Sequence, residues 1–284
     1  MFPGLPPIAA AMIGLDGDPA IVAGAGSSGE RARAVIAWLA GSGARAIRLD
    51  GTMAGIRARE LDRSGRRDLA SVLRRAEIEF AGVDAFVPPE HFVSVGMVDR
   101  AVAAVLSVID LAADLAALRA GSVTSRGGSR GAAGVSVTLP EKLPADIRRT
   151  IEDRAVSRGV RIADHAWPIG EDAGEEATSA IGVGLDPATV LGAGQDPIGL
   201  AARLGGRVAC ARLSDLGKGA GAGGGGLGGG RVIPGSGRLD VGAYLASLGA
   251  TGYVGHAVLD LRGLGDPGAA IRETMRRVAM APGA

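Results

Sequence analysis

Short apolar runs alternate with amphipathic segments along most of the chain. Ala46–Leu49, Val160–Ala163 and Ile181–Leu185 are apolar at nearly every position rather than at every second one. This pattern is typical of parallel strands that are buried on both faces. Between such runs, apolar residues recur at helical spacing, as they do from Ala32 to Leu39. The hydrophobic pattern therefore predicts an α/β fold.

The clearest unit of this pattern runs from Ile181 to Asp215. It predicts a strand, one or two short helices, and a second strand that leads to Arg212 and Asp215. Similar units follow one another through the chain, about eight in all, which is the repeat of a TIM barrel. We therefore predict a single (β/α)8 TIM barrel that spans residues 1–284 as one domain.

Several boundaries follow from local signals. The first strand is predicted at Ile8–Ile13, with Ile21–Ala25 as the alternative, and the third at Val83–Val87, after a connection that starts at Gly82. Leu69, Val72, Leu73, Ala76 and Phe80 are predicted on one helix face. Helix starts are predicted at Ser27 or Ser28, near Pro144, and at four Asp residues: Asp186, Asp196, Asp240 and Asp266.

Two glycine-rich stretches are predicted to be flexible loops. Residues 119–134 are rich in Gly, Ser and Arg, and ten of the fourteen residues 217–230 are glycine. Such a composition cannot offset the entropy lost on ordering. The second stretch is not a phosphate-binding loop, because it lacks the Lys-Ser/Thr ending that this motif requires.

Composition limits the classes of partner. The chain has 284 residues, of which 47% are hydrophobic, and a formal net charge of +1, so nothing points to a nucleic acid or an anionic membrane. Cys210 is the only cysteine, which excludes an internal disulfide. No signal peptide or apolar run of membrane-spanning length is evident. We expect a cytoplasmic, bacterial-type protein that binds a small molecule, and the oligomeric state stays open.

Polar residues stand at or near the carboxyl ends of the predicted strands, where a barrel enzyme keeps its active site. They are Asp50, Glu90, His91, Asp164, His165, Asp186, Arg212, Asp215 and Asp260. Other roles are open for some of them: Asp186 precedes Pro187 and can cap a helix, and Asp260 can pair with Arg262. Converging carboxylates also need a cation, either a divalent metal or Arg212.

The order of elements resembles the xylose isomerase-like barrels, which include sugar phosphate isomerases/epimerases and endonuclease-IV-like enzymes. The segments that carry the resemblance cover most of the chain: LDRSGRRDLASVLRRAEIEFAGVD, PPEHF, VRIADHA, VGLDPATVLGAGQDP, ARLSD and PGSGRLDVGAYLASLGATGYVGHAVLDLRG. The last of them is the most specific, because a PG-x-G-x-LD helix start precedes a strand that ends in acid-x-R-G.

The resemblance implies a set of metal ligands, although three positions depart from the family pattern. The Glu, Asp and Glu ligands of the family fall on Asp164, Asp186 and Asp260, and the ligand His falls on Arg212. Arginine cannot ligate a metal, because it stays charged and has no free lone pair. The remaining carboxylates would suit Mg²⁺ or Mn²⁺ more than zinc. The cofactor is otherwise unknown.

Two functions are consistent with these residues. In the first, the protein is a sugar phosphate isomerase/epimerase-like enzyme acting on a small sugar, polyol or sugar phosphate. Its catalytic residues would be Asp164, Asp260 and His91, and its substrate-binding residues Arg212, Glu90, His165 and Asp215. In the second, it is a catalytically silent barrel that binds a small anionic ligand or a partner protein. An endonuclease is disfavoured by the low net charge and by the few aromatic residues available to stack on bases.

Overall fold

A computed structural model describes residues 5–120, 133–170, 179–219 and 230–279. The strands are β1 (Ile8–Ala11), β2 (Ala46–Asp50), β3 (Glu79–Asp84), β4 (Ala133–Val137), β5 (Val160–Asp164), β6 (Ile181–Leu185), β7 (Val208–Leu213), β8 (Asp215–Leu216), β9 (Arg231–Val232) and β10 (Ala257–Leu259). The helices are α1 (Ser28–Gly41), α2 (Arg63–Arg75), α3 (Val98–Ala120), α4 (Ala145–Arg158), α5 (Pro187–Gly192), α6 (Pro197–Leu204), α7 (Val241–Ala250) and α8 (Pro267–Ala279).

Eight of these strands close into a parallel barrel. The order around the barrel is β1, β2, β3, β4, β5, β6, β7 and β10, and β10 pairs with β1. The two remaining strands, β8 and β9, form a small antiparallel sheet just beyond the carboxyl end of β7. The predicted (β/α)8 TIM barrel is confirmed.

Side chains along each strand alternate between the barrel interior and the layer beneath the helices. The outward positions, such as Ile162, join the large core that the helices cover. A separate small cluster of Ala11, Ala163, Cys210 and Val258 fills the interior. Following this alternation to the strand ends identifies the residues that point into the barrel mouth.

Several predicted helix starts are confirmed. Ser27 is the N-cap of α1 and forms a capping box with Glu30. Asp186, Asp196 and Asp240 each cap the helix that follows by accepting backbone N–H groups. These helix starts could be predicted from the sequence because a cap depends only on residues within one turn of it.

The third strand was predicted too far along the chain. It runs from Glu79 to Asp84, so Phe80 lies in the strand rather than on a helix face, and Gly82 lies inside it with φ of +121°. A Cβ at Gly82 would meet the Gly134 oxygen at 2.3 Å and Arg48 Nη1 at 2.8 Å. Gly82 is therefore a point where backbone and a buried side chain approach closely, and not a turn. The first strand is Ile8–Ala11, and Ile21–Ala25 forms turns.

Helix α3 is long and apolar enough to cross a membrane, by length and composition alone. One of its faces, with Ala101, Val105, Ile109 and Ala112, is buried in the main core of the barrel. A core helix of a soluble protein has the same properties, so α3 is no reason to expect a membrane partner. The two predicted flexible loops lie mostly outside the described residues.

Candidate functional site

The alternation of the strands places a group of polar residues inside the carboxyl end of the barrel. Arg48 and Asp50 come from β2, Asp84 from β3, Ser136 from β4 and Arg212 from β7. Asp186, Asp260 and His165 follow the ends of β6, β10 and β5. Arg231 in β9 and Arg262, two residues after Asp260, bind the acids at the mouth. We call seven of the mouth residues the arginine cluster: Arg48, Arg212, Arg231 and Arg262 with Asp84, Asp186 and Asp260.

Asp84 lies at the centre of one half of the arginine cluster. Its Oδ1 accepts hydrogen bonds from Arg48 Nε at 2.8 Å and Arg212 Nη2 at 2.6 Å, and its Oδ2 accepts one from Arg212 Nη1 at 3.1 Å. The side chains of all three residues are at most 3% exposed. Arg212 thus makes a two-pronged contact with Asp84, which fixes the guanidinium plane.

Asp186 and Asp260 form the other half of the arginine cluster. Arg231 Nη2 donates to Asp186 Oδ2 at 2.6 Å, and Arg262 binds both oxygens of Asp260 at 2.5–2.9 Å. Ser214 donates to Asp186 Oδ1 at 2.6 Å. Asp186 therefore caps α5 and belongs to the arginine cluster at once, and the predicted local pair of Asp260 with Arg262 is present.

Three buried nitrogen atoms at the mouth have no hydrogen-bond partner in the described part of the chain. They are Arg212 Nε, Arg231 Nη1 and His165 Nδ1. The two arginine atoms lie 3.8 and 3.9 Å from Asp260 Oδ2, which is too far for a hydrogen bond. Buried polar groups in folded proteins are normally paired, so unpaired donors at a barrel mouth indicate a place for a ligand or water.

The charges around each acid determine its pKa. Burial alone would raise the pKa of Asp84, but Arg212 and Arg48 outweigh it and hold the pKa below its usual range. Burial would also raise the pKa of Asp260, but Arg212 and Arg262 outweigh it and lower that pKa. At Asp186, Arg231 is the main cation that outweighs burial and lowers the pKa. These three acids stay ionised at neutral pH.

Two other mouth residues titrate differently. Burial raises the pKa of Asp50, although Thr52 donates two hydrogen bonds to its Oδ1. Burial, together with the nearby charge of Arg212, lowers the pKa of His165 to about 3. His165 is therefore a neutral imidazole at neutral pH.

Arg262 lies beside the entrance, where it is 20% exposed. Its guanidinium lies over the Phe86 ring, 5.4 Å from the ring centroid, within reach of a cation–π interaction. Phe86 follows β3 and has φ of +41°, which is unusual for a bulky residue. The surrounding structure holds this strained residue at the edge of the mouth, as is common at functional sites.

The predicted metal set of Asp164, Asp186 and Asp260 is not assembled. Ile162 and Asp164 share the outward face of β5, and Asp164 Oδ1 accepts the backbone N–H groups of Leu139 and Ala166. Among the described residues, no three His, Cys, Asp or Glu side chains form a group that could hold a metal. Arg231 binds one oxygen of Asp186 and Ser214 binds the other, and Arg262 binds both oxygens of Asp260, so these residues do not fit a divalent metal. The inward residue at the end of β5 is His165.

The other predicted site residues have separate environments. Asp215 is fully buried, and its carboxylate accepts five backbone N–H groups, four of them between Gly235 and Leu239. This environment suits holding that loop better than contacting a substrate. Glu90 and His91 lie in a short 3-10 helix, and neither makes a hydrogen bond or ion pair with the arginine cluster in the described structure.

Sequence reasoning missed Arg48, Asp84, Ser136 and Arg231 as mouth residues. Arg48 and Asp84 lie within strands, and their inward direction follows only from a correct strand register. Once β3 is placed at Glu79–Asp84, Asp84 falls at its carboxyl end, so a better boundary would have found it. Arg231 reaches the site from a two-residue strand beyond the glycine-rich stretch, where no pattern signals it.

No protein-family model and no curated protein matches the chain in sequence. Solved structures do match in fold. A xylose isomerase domain protein from Planctomyces limnophilus is 14% identical, covers 98% of this chain and 97% of its own, and has a TM-score of 0.64.

A xylose isomerase-like TIM barrel protein from Mycobacterium smegmatis, in complex with magnesium, is 13% identical over 96% of this chain and 95% of its own, with a TM-score of 0.66. D-allulose 3-epimerase from a Methylomonas species is 12% identical over 98% and 99%, with a TM-score of 0.58. This chain therefore has the fold of the xylose isomerase-like TIM barrels.

Proposed function

We propose that the protein binds a small anionic sugar or polyol derivative at the barrel mouth, with arginine side chains in place of a divalent metal. The observation that supports this most is the pair of unpartnered, buried donors Arg212 Nε and Arg231 Nη1. Both are charged groups that can only donate, so the ligand must present acceptors. The fold supports a sugar-like ligand, because one solved barrel of this fold is an allulose epimerase.

The proposal does not require a metal. The carboxylates that correspond to the metal ligands of the resembling family are already neutralised by arginines, at 2.6 Å for Asp186 and 2.5–2.9 Å for Asp260. A divalent cation would have to displace these contacts and would be repelled by the guanidinium groups a few ångströms away.

Calorimetric titration of the purified protein tests the binding. The probes are D-gluconate and D-glucose 6-phosphate, with D-glucose as the neutral comparison, each measured with EDTA and then with added Mn²⁺. We expect saturable binding of an anionic probe in EDTA and none of glucose. Arg231→Gln should weaken this binding at least about tenfold, because a charged hydrogen bond contributes about 1.5–3 kcal/mol.

The matched control is Arg33→Gln, which removes the same charge from the outer face of α1. Arg33 pairs with Asp68 at the surface, 52% exposed. This variant should bind like the unaltered protein. Binding of no anionic probe, or binding that appears only with Mn²⁺ and is lost in Asp186→Asn, would overturn the proposal.

A second candidate is an isomerase or epimerase that moves a proton on the bound ligand. Asp50 favours it, because it faces the mouth, its carboxylate has no arginine partner among the described residues, and burial raises its pKa. A carboxyl group of this kind can exchange a proton near neutral pH better than an ordinary Asp can. Among the described mouth residues, Asp50 is thus the strongest candidate for acid–base catalysis.

Deuterium exchange tests this second function. An anionic sugar that binds should exchange a carbon-bound hydrogen with D₂O in the presence of the protein, followed by proton NMR. Asp50→Asn should abolish exchange while the affinity measured by calorimetry stays within about threefold. If exchange persists in Asp50→Asn, another base is responsible, and if no bound ligand exchanges, the protein is a binding barrel.

A further inference from the structure

Ser136 lies between Arg48 and His165 inside the barrel. Arg48 Nη2 donates to Ser136 Oγ at 2.8 Å, and Ser136 Oγ lies 2.9 Å from His165 Nε2. Ser136 is 3% exposed, so bulk water does not complete its hydrogen bonds. The direction of the bond to His165 therefore depends on these three residues.

The hydrogen-bond inventory of the three side chains determines that direction. Arg48 can only donate, so Ser136 Oγ accepts from it, and the single hydroxyl hydrogen of Ser136 needs an acceptor. In the described structure, His165 Nε2 is the only such atom in reach. If Nε2 carried the ring proton instead, the buried hydroxyl hydrogen would have no acceptor, at a cost of about 1–3 kcal/mol.

The neutral ring of His165 therefore carries its proton on Nδ1. That atom is shielded from solvent and has no protein partner among the described residues. The ring is held in place from below, because it lies flat against Gly184, where a Cβ would come within 2.5 Å of it. His165 thus presents a fixed N–H group at the mouth.

Three mouth residues then each have one buried donor without a partner in the described structure: Arg212 Nε, Arg231 Nη1 and His165 Nδ1. The arginine cluster has four guanidinium groups and three carboxylates, so it carries one net positive charge. A carboxylate brings one negative charge and only acceptors, which matches both the charge and the donors. A phosphate dianion would leave an excess negative charge beside Asp186 and Asp260.

We infer that Arg48 and Ser136 hold His165 as an Nδ1–H donor, and that this donor completes, with Arg212 and Arg231, a site for the carboxylate of a polyhydroxy acid. This inference rests on the proposed function for its ligand and not for the state of the histidine. His165 binds the ligand, and Ser136 and Arg48 are positioning residues.

Nitrogen-15 NMR of the histidine rings tests the proposed tautomer of His165. The chain has three histidines, so the spectrum is simple, and His165→Asn assigns the signals of His165. We expect the ring proton on Nδ1 in the unaltered protein and in Ser136→Thr, which keeps the hydroxyl. Ser136→Ala should release the constraint and give a mixture of both tautomers. A ring proton on Nε2 in the unaltered protein would overturn the inference.

Calorimetry with D-gluconate and inorganic phosphate tests the proposed carboxylate site. We expect gluconate to bind more tightly than phosphate, and Ser136→Ala to weaken gluconate binding about two- to tenfold, the range for one neutral hydrogen bond. Ser136→Thr should bind gluconate as tightly as the unaltered protein.

If Arg231→Gln abolishes gluconate binding but Ser136→Ala does not change that binding, the role of His165 is wrong and the proposed function stands. If phosphate binds more tightly than gluconate, the carboxylate assignment is wrong. If gluconate, phosphate and the glucose 6-phosphate of the earlier titration all fail to bind, the proposed function fails, whatever tautomer the spectrum shows.

Discussion

Asp50 and Asp84 are the same residue type at paired positions on neighbouring strands, yet their environments are opposite. They lie side by side in the register of β2 and β3, and both face the barrel mouth. Asp84 is bound by Arg48 and Arg212, and its pKa is lowered, whereas Asp50 is bound by Thr52, and burial raises its pKa. Residue type and strand position therefore do not decide the role of a mouth carboxylate. The role depends on whether a cation lies beside the carboxylate.

The largest expected difference between the two acids is in stability. Asp84→Asn leaves Arg48 buried without its counter-ion and Arg212 with only the more distant Asp260, and breaking a buried ion pair on one side costs about 3–5 kcal/mol. Urea unfolding at pH 7 measures this loss as a lower midpoint. A loss below about 1 kcal/mol would show that Asp84 does not anchor the arginine cluster.

Acid should destabilise the folded protein by protonating the carboxylates that pair with arginines. The lowered pKa values of Asp84, Asp186 and Asp260 mean that their contribution to stability is complete above the ordinary Asp pKa of about 3.9 and is lost as the pH falls below it. The free energy of unfolding should therefore fall steeply below about pH 4. Asp186→Asn keeps an N-cap residue but removes one of the three acids, so its decline should be shallower. An identical decline in both proteins would contradict this account.

The position of His165 can be disturbed without changing any charge. Gly184→Ala places a Cβ within 2.5 Å of the His165 ring, and overpacking of this kind costs about 1–3 kcal/mol. Thermal unfolding should show the loss, and the NMR signals of His165 should shift. The matched control is Gly41→Ala at the end of α1, where a new Cβ meets nothing within 4 Å and stability should not fall. Unshifted His165 signals in Gly184→Ala would mean that the ring is not tightly packed against residue 184.

The smallest expected effect is at Asp50. Because its pKa is raised in the folded state, any stability it contributes is present at low pH and is lost as the pH rises through the folded pKa. Asp50→Asn removes this cost of burying a charge, so we expect a change within about 1 kcal/mol at pH 7, and toward higher stability. Urea unfolding in parallel with Asp84→Asn measures the contrast directly. A loss as large as that of Asp84→Asn would show that the two acids are not different in kind.

Much of the fold was predictable because it depends on local signals. Apolar runs marked the strands, and Ser27, Asp186, Asp196 and Asp240 marked helix starts within a turn of themselves. The error at β3 came from Gly82, whose usual meaning in a sequence is a turn. Its meaning here is set by Arg48 and Gly134, which are far away in the chain.

The candidate site was predicted less well. Arg212, Asp186, Asp260 and His165 were identified as mouth residues, since each stands at or just past a strand end. Asp164 was misplaced because one residue along a strand reverses the direction of a side chain. The neighbour that does face the mouth, His165, was predicted to bind substrate. It lies just after the end of β5.

The sequence by itself determined that the chain forms strand–helix repeats and that acids and arginines stand at the strand ends, because apolar periodicity and capping act over a few residues. The tertiary structure alone decided which acid meets which arginine. Asp84 and Arg212 are 128 positions apart, and their contact exists only because the barrel closes. That contact, together with those of Arg231 and Arg262, occupies the carboxylates that resembled metal ligands and leaves unpartnered donors at the mouth.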